Sequence, residues 1–482
     1  MISFIRSDYQ KHRKKYQRAG QKIVLFAFFF SIIVVFSFWL PKWSLPANIL
    51  YAPATQNQVQ EDFSGTLYFN AQEHSTHLQT KILEAIASAR QSIDVAMYSI
   101  DMPEVEKALI QAQERGVEVR LILSKNKSKQ HEDLVSHFPA DQVFQLGDEE
   151  VYMHNKYLLI DKGKNPQLLF GSLNYTSLQE RYDPSFILET RDPYFIEPFI
   201  LETERLIQRG QGTFKFQEGD YSPFSQMALY SNGFVETWFS PGFKENSVKT
   251  RILEMIDQAT SSIDIMIWRM TDKDIAKALV EKGKQGVNVR VITDDYYLWS
   301  QASSVGLLLE AKRAFKLDSL NVVSDGLRTL DLNQKIEEGL GYFNPYFHQH
   351  TLLVDDKMAL SGSNNWSFNG FYRNDESIVI SNVDFWVKGF RASFDHNFGE
   401  LQGSSPIFLQ NGMLSSTTLP QGAQRVLVVL EESEKQIYPK ICFEQVLTED
   451  SKSIEIPKNC FQSQARLLVL DGENKLLGSL YL

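Results

Sequence analysis

Val151–Asn174 reads VYMHNKYLLIDKGKNPQLLFGSLN, and its reading decides the fold. His154, Lys156 and Asp161 form an H-x-K-x4-D pattern, with Gly171-Ser172-Leu173-Asn174 ten residues after the aspartate. A strand over 152–158 would point His154 and Lys156 to one face, because side chains alternate along a strand. The polar run DKGKNPQ predicts a turn, and LLFG the returning strand. An imidazole, an ammonium, a hydroxyl and an amide then share one face. That set can bind a phosphate and attack it.

A single histidine on a strand is usually a packed core or surface residue. Here the spacing occurs twice. Residues 348–365 read HQHTLLVDDKMALSGSNN, with His348, Asp355 at the same seven-residue offset, and Gly362-Ser363-Asn364-Asn365. With its two motifs the chain resembles the phospholipase D superfamily, whose HKD motifs are H-x-K-x4-D followed by G-S-x-N. The resemblance covers roughly residues 66–404.

A longer repeat surrounds the motifs. Ile82-Leu83-Glu84 matches Ile252-Leu253-Glu254, Ser92-Ile93-Asp94 matches Ser262-Ile263-Asp264, and Val119-Arg120 matches Val289-Arg290, all at an offset of 170. Such self-similarity marks a duplication. Each copy predicts a helix (80–90 in the first), a buried strand (SIDVAMYSI, SIDIMIWRM), a helix (103–115, 273–285) and a strand (VEVRLIL, VNVRVIT). Gly116 and Gly286 stand where helices end. The expected fold is α/β: two tandem phospholipase D-like repeats forming a pseudo-twofold sheet-and-helix sandwich. A small C-terminal β-domain follows, read from runs such as RVLVVL and ARLLVLD, and an N-terminal transmembrane helix precedes. Between Asp295 and His348 the second copy carries about 24 extra residues, apolar and aromatic at their start, readable as a lid or as one more packed helix.

The expected boundaries are a basic tail (1–22), a signal-anchor (23–40), a linker (41–64), the repeats (65–215 and 216–404) and the β-domain (405–482). Ile23–Leu40 carries no charge, and 18 helical residues span about 27 Å, close to a bilayer's hydrocarbon thickness. The basic flank before it predicts a single pass with the N-terminus in the cytoplasm and the catalytic part outside. A cleaved signal peptide is the competing reading, but no small-x-small site follows the apolar run closely. Residues 1–42 hold eight Lys/Arg and one Asp, leaving 41 basic and 58 acidic residues beyond them, a charge of −17. That balance argues against a processive nuclease without excluding a local basic pocket. Cys442 and Cys460 are the only cysteines and can pair in an oxidising compartment.

The resemblance implies a chemistry. His154 would be the nucleophile and His348 the general acid and base, dividing attack and leaving-group protonation between two imidazoles. Lys156, Ser172, Asn174, Ser363 and Asn365 would contact phosphate, while Asp161 and Asp355 brace the hairpins. No cofactor or metal is implied. Two departures stand out. His350 occupies the place of the second motif's lysine, which weakens phosphate binding and makes it pH-dependent if the imidazole titrates near neutrality. After motif two, Asn374-Asp375-Glu376 matches the family's N-x-E, and Glu376 would orient His154; after motif one, aligning Arg181–Ser185 with Arg373–Ser377 puts Pro184 where the glutamate belongs.

The first functional expectation is a membrane-anchored phosphodiesterase acting on membrane phospholipid. A nuclease is the runner-up, since Gly362–Ser367 (GSNNWS) resembles the family's small nucleases, and nucleic acid therefore stays open as a substrate. Cardiolipin-synthase-like phosphatidyl transfer and a degenerate phosphate-binding protein follow. Two motifs in one chain predict a complete centre per monomer, with no obligate dimer.

Overall fold

The computed structural model describes residues 59–70, 77–211, 226–242, 247–294, 303–324 and 348–401. Beyond these it describes 409–410, 413–415, 425–430, 440–447, 453–460, 465–470 and 476–481. The expected anchor at 23–40 lies outside them, and among the described residues no helix is long and apolar enough to cross a membrane.

The first repeat builds a seven-stranded sheet from β1 (Thr66–Phe69), β2 (Ser92–Met97), β3 (Glu118–Ser124), β4 (Val143–Leu146), β5 (Lys156–Ile160), β6 (Gln167–Gly171) and β7 (Phe186–Thr190). Its order is β1-β7-β6-β5-β2-β3-β4. The second builds an eight-stranded sheet from β8 (Gln226–Tyr230), β9 (Gly233–Ser240), β10 (Ser262–Ile267), β11 (Asn288–Thr293), β12 (Leu320–Ser324), β13 (Thr351–Val354), β14 (Met358–Gly362) and β15 (Glu376–Ser381). Its order, β12-β11-β10-β13-β14-β15-β9-β8, repeats the same core of parallel crossovers flanked by hairpins. Gly116 and Gly286, at φ +85° and +87°, end the two crossover helices in the left-handed conformation that glycine adopts without strain.

The offset of 170 carries chemistry as well as pattern. Asp94 pairs in register with Arg120 across β2 and β3, and Asp264 with Arg290 across β10 and β11. Their guanidinium–carboxylate contacts are 2.5 and 2.6 Å. A buried carboxylate is tolerated only when paired in this way.

β2 shows why both faces of each sheet are covered. Ile93, Val95 and Met97 enter an outer core with Leu78, Ile82, Val105 and Leu109 of the helices His77–Ser88 and Pro103–Glu114. Ala96 faces inward, into a second core shared by the repeats, where Tyr157, Phe170, Phe186 and Phe199 meet Met266, Leu353, Trp386 and Phe390. Helix Pro193–Gly210 packs on β4 of its own sheet and on β8 and β9 of the other, while Asp384–Leu401 packs on β13, β14 and also β1. Trp386 and Phe390 are fully buried, each contributing about 3 kcal/mol of apolar burial. The repeats thus share one core, which holds their hairpins in fixed relation.

The described part of the second repeat's insert is a helix, Gly306–Phe315, and the strand β12, which extends the sheet by pairing in parallel with β11. Residues 325–347 lie outside the described set. In the C-terminal part, Lys440–Val446, Arg425–Leu430, Ala465–Leu470 and Leu476–Tyr481 form one four-stranded sheet in that order. Cys442 and Cys460 are joined by a disulfide there, their Cα atoms 5.8 Å apart.

Candidate active site

The strand expected over 152–158 begins only at Lys156. Upstream of it the chain leaves its own sheet: Met153 bridges to Asp375 of the other repeat, and the His154 N–H donates to the Asp375 carbonyl at 2.8 Å. The second motif mirrors this, with the His348 N–H donating to the Pro184 carbonyl at 3.0 Å. Each histidine is therefore tied to the segment that precedes the last strand of the opposite hairpin. This reciprocal crossing brings two residues 194 positions apart into one centre.

His154 Nδ1 lies 2.8 Å from Glu376 Oε2, both groups buried. The carboxylate is held in turn by Ser363 Oγ at 2.6 Å and Asn374 Nδ2 at 3.1 Å. Asp375 between them is clamped by Arg205 at 3.0 Å and by Arg209, which stand one turn apart on helix Pro193–Gly210. With Glu376 accepting from Nδ1–H, the Nε2 lone pair is left for attack. Tyr98 meets the His154 ring edge-on at 4.8 Å, and its own ring lies 5.5 Å from Lys156 Nζ. Lys156 is buried and donates to the His154 carbonyl at 2.8 Å, leaving two ammonium protons for a ligand.

Burial dominates the electrostatics. It lowers the pKa of His154, with Glu376 opposing the shift and the Lys156 charge adding to it. Burial brings Lys156 down to about 7, against the pull of Glu376. His348 and His350 are driven well below the usual imidazole value, first by burial and then by neighbouring cations, Lys156 and His154 among them. His350 is consequently neutral near neutrality, so the pH dependence expected of it falls instead to Lys156.

His350 sits at φ +44°, its ring 5.5 Å from that of His348, and neither ring nitrogen has a protein partner. β13 starts one residue later than β5 does, at Thr351, so the substitution comes with a changed backbone. Asn174 and Asn365 are buried, each with an amide oxygen lacking a protein partner. Ser172 and Ser363 are engaged within the protein: their hydroxyls accept from Phe186 N at 3.3 Å and Ser377 N at 3.0 Å. Ser363 thus holds Glu376 rather than standing open to phosphate.

Asp161 and Asp355 tie the hairpin turns to the segments that precede β2 and β10. Both adopt left-handed φ (49° and 53°) at the hairpin turns. Asp161 accepts from the N–H groups of Arg90, Gln91 and Ser92, and Asp355 from those of Thr260, Ser261 and Ser262. Neither contacts an imidazole. Aspartate suits the position because it tolerates this backbone and accepts several N–H donors.

The glycine approach corrects the alignment of the two motifs by one residue. A Cβ on Gly171 would meet Phe186 O at 2.0 Å, and one on Gly362 would meet Ser377 O at 2.2 Å. Phe186 therefore corresponds to Ser377, and Ser185, not Pro184, occupies the place of Glu376. Pro184 corresponds to Asp375, from which the opposite histidine requires only a carbonyl. Tyr98 and Trp268 were missed as site residues although the offset of 170 relates them; Trp268 meets His348 edge-on at 5.6 Å as Tyr98 meets His154.

Residues 82–207 and 252–398 match the family model described as "Cardiolipin synthase, PLD-like domain". These segments make up more than half of the chain, which belongs to this phospholipase D-like family. A mitochondrial cardiolipin hydrolase of Xenopus laevis is 27% identical over 155 residues, 32% of this chain and 63% of that protein. The Homo sapiens mitochondrial cardiolipin hydrolase is 25% identical over 149 residues, 31% and 50% of the two chains. The chain thus spans less than two thirds of these relatives' length. Among solved structures, phosphatidylserine synthase of Haemophilus influenzae aligns with a TM-score of 0.51 at 14% identity, covering 69% of this chain and 85% of that one. That likeness is one of fold.

Proposed function

We propose that the chain is a membrane-anchored phosphodiesterase of phospholipase D type that hydrolyses phospholipid head groups outside the cytoplasm. The observation that carries the catalytic part is the His154–Glu376 contact across the repeats, with His348 tied into the same buried centre. His154 Nε2 attacks phosphorus and forms a P–N bond as the P–O bond to the alcohol breaks. His348, protonated as the bound phosphate anion offsets the cost of burying its charge, supplies from Nε2 the proton that the departing alkoxide takes up. His348 then removes a proton from water, whose oxygen attacks phosphorus and breaks the P–N bond, restoring both imidazoles. Lys156, relieved of its low-dielectric isolation by an anionic substrate, holds the non-bridging oxygens.

Both imidazoles come from one chain, so no partner subunit is required for chemistry. The lipid preference is supported by relatives named for cardiolipin and by the uncharged run Ile23–Leu40, which would keep the site near a bilayer.

The test uses the full chain in detergent, a chromogenic phosphodiester, and EDTA. EDTA-insensitive turnover abolished by His154→Ala supports the reading; no turnover between pH 5 and pH 8, a range of about three units around the imidazole pKa, would sink it. Phospholipid vesicles and single-stranded DNA then compete as substrates. Preference for DNA would leave the chemistry standing and overturn the lipid assignment.

A further inference from the structure

The second half-site lacks the glutamate that serves the first. Ser185 stands in its place, buried, with a hydroxyl that has no protein partner. Two residues upstream, at the position of Asn374, the first repeat carries Asp183. Its Oδ2 lies 3.9 Å from His348 Nδ1, and both residues are buried.

The segment is also held as deliberately as its counterpart. Asn70, just after β1, donates to the carbonyls of Asp183 and, at 3.1 Å, Glu180; it accepts from Ser185 N at 2.7 Å. Where Arg205 and Arg209 clamp the 374–376 segment through Asp375, Asn70 clamps 183–185 through its backbone. Pro184 fits between because only its carbonyl is used, by His348 N.

We propose that Asp183 is the positioning carboxylate of the second half-site, orienting His348 for proton transfer in the role that Glu376 plays for His154. The inference rests on the two-histidine reading above. The carboxylate faces the Nδ1 edge of the ring, which directs Nε2 toward the reacting oxygen. Among the described residues, the titratable groups that face His348 besides Asp183 include His154, Lys156 and His350, with Glu376 behind His154. Lys156 and His154 disfavour its protonated form, and the Asp183 carboxylate beside Nδ1 acts in the opposite sense.

The test compares two phosphodiesters, one with an alkyl and one with a p-nitrophenyl leaving group, the second needing little protonation. In the full chain, Asp183→Asn should lower kcat on the alkyl ester about 10- to 100-fold. On the nitrophenyl ester the loss should be several-fold smaller. The basic limb of the pH profile should move to lower pH, because a carboxylate that stabilised the imidazolium has gone. Adding Ser185→Glu to that variant should recover part of the alkyl-ester turnover. Equal losses on both esters would overturn the proposal. NMR of 15N-histidine-labelled wild-type chain needs neither turnover nor a variant: neutral His348 should carry its proton on Nδ1, facing Asp183. An Nε2–H tautomer overturns the proposal; an Nδ1–H tautomer in a protein without phosphodiesterase activity sustains it and removes the functional reading instead.

Discussion

The two half-sites share a backbone plan and differ in nearly every side chain that tunes it. Around His154 the arrangement is tight: Glu376 at 2.8 Å, itself fixed by Ser363 and Asn374, with Lys156 buried alongside. Around His348 the carboxylate is 3.9 Å away, a serine fills the glutamate's place, and His350 replaces the lysine. A gene duplication makes two equal sites; a phosphohistidine cycle needs two unequal imidazoles. A nucleophile benefits from a fixed tautomer and a free lone pair. A residue that gives and then takes a proton needs a pKa that can move as charge passes through the site. The tight half suits the first task and the loose half the second.

The strongest way to break this division is to remove each imidazole. His154→Ala should lower kcat by about 10^4-fold or more, with no covalent phosphoenzyme trapped on acid quench. His348→Ala should still form the phosphoenzyme on a nitrophenyl ester and fail to turn it over. If the trapped phosphate maps to His348, the roles are reversed. Next in size is Glu376→Gln, which keeps the shape but removes the charge that sets the His154 tautomer. A loss in kcat of about 10^2-fold with little change in KM is expected.

Much of this contrast was legible in the sequence, and the rest failed for a physical reason. The duplicated offsets gave both sheets, because each matched residue has an equivalent structural task, as Asp94–Arg120 and Asp264–Arg290 demonstrate. Glu376 beside His154 followed from the family resemblance. The start of β5 did not, since residues 152–154 bond to the other repeat, and alternation along one strand cannot register a partner more than 200 residues away. Aligning Pro184 with Glu376 failed by one residue because it matched Arg181 to Arg373, one position off the spacing that the two G-S-x-N runs set. Ungapped spacing from the two G-S-x-N runs, the strand pairing of Gly171 with Ile187 and of Gly362 with Ile378, and the close approach of each glycine to the facing strand all give the same register. Tyr98 and Trp268 were findable, being related by the repeat offset, but aromatic residues at strand ends read as core until the histidines are placed beside them.

The hairpin braces offer a comparison away from the chemistry. Asp355 accepts two side-chain hydroxyls, from Thr260 and Ser261, in addition to three backbone donors, whereas Asp161 relies on backbone donors. Asp355→Ala should therefore cost about 3 kcal/mol and Asp161→Ala about 2 kcal/mol, read by urea denaturation. Those hydrogen bonds hold the Asp355 pKa well below its ordinary value, despite burial. The sign follows: its contribution is complete above about pH 4 and is lost as pH falls toward the lower folded-state pKa. Equal costs for the two variants would remove the hydroxyls from the account.

The smallest expected effect separates Lys156 from His350 as the source of pH-dependent anion binding. A dialkyl phosphate keeps one negative charge throughout, so any change in its affinity belongs to the protein. With a pKa of about 7, Lys156 is mostly charged at acidic pH and mostly neutral at alkaline pH. If binding needs the ammonium, inhibition should weaken by about tenfold between pH 6 and pH 8. His350, driven well below the usual imidazole range, stays neutral over the same interval and donates at most one hydrogen bond. His350→Gln should thus shift the whole inhibition curve by a few-fold and leave its slope intact. Lys156→Arg, whose charge does not titrate there, should flatten it. A slope that disappears with His350→Gln and survives Lys156→Arg would move the titrating charge to the loose half-site. The tight half would then owe its nucleophile to Glu376 alone.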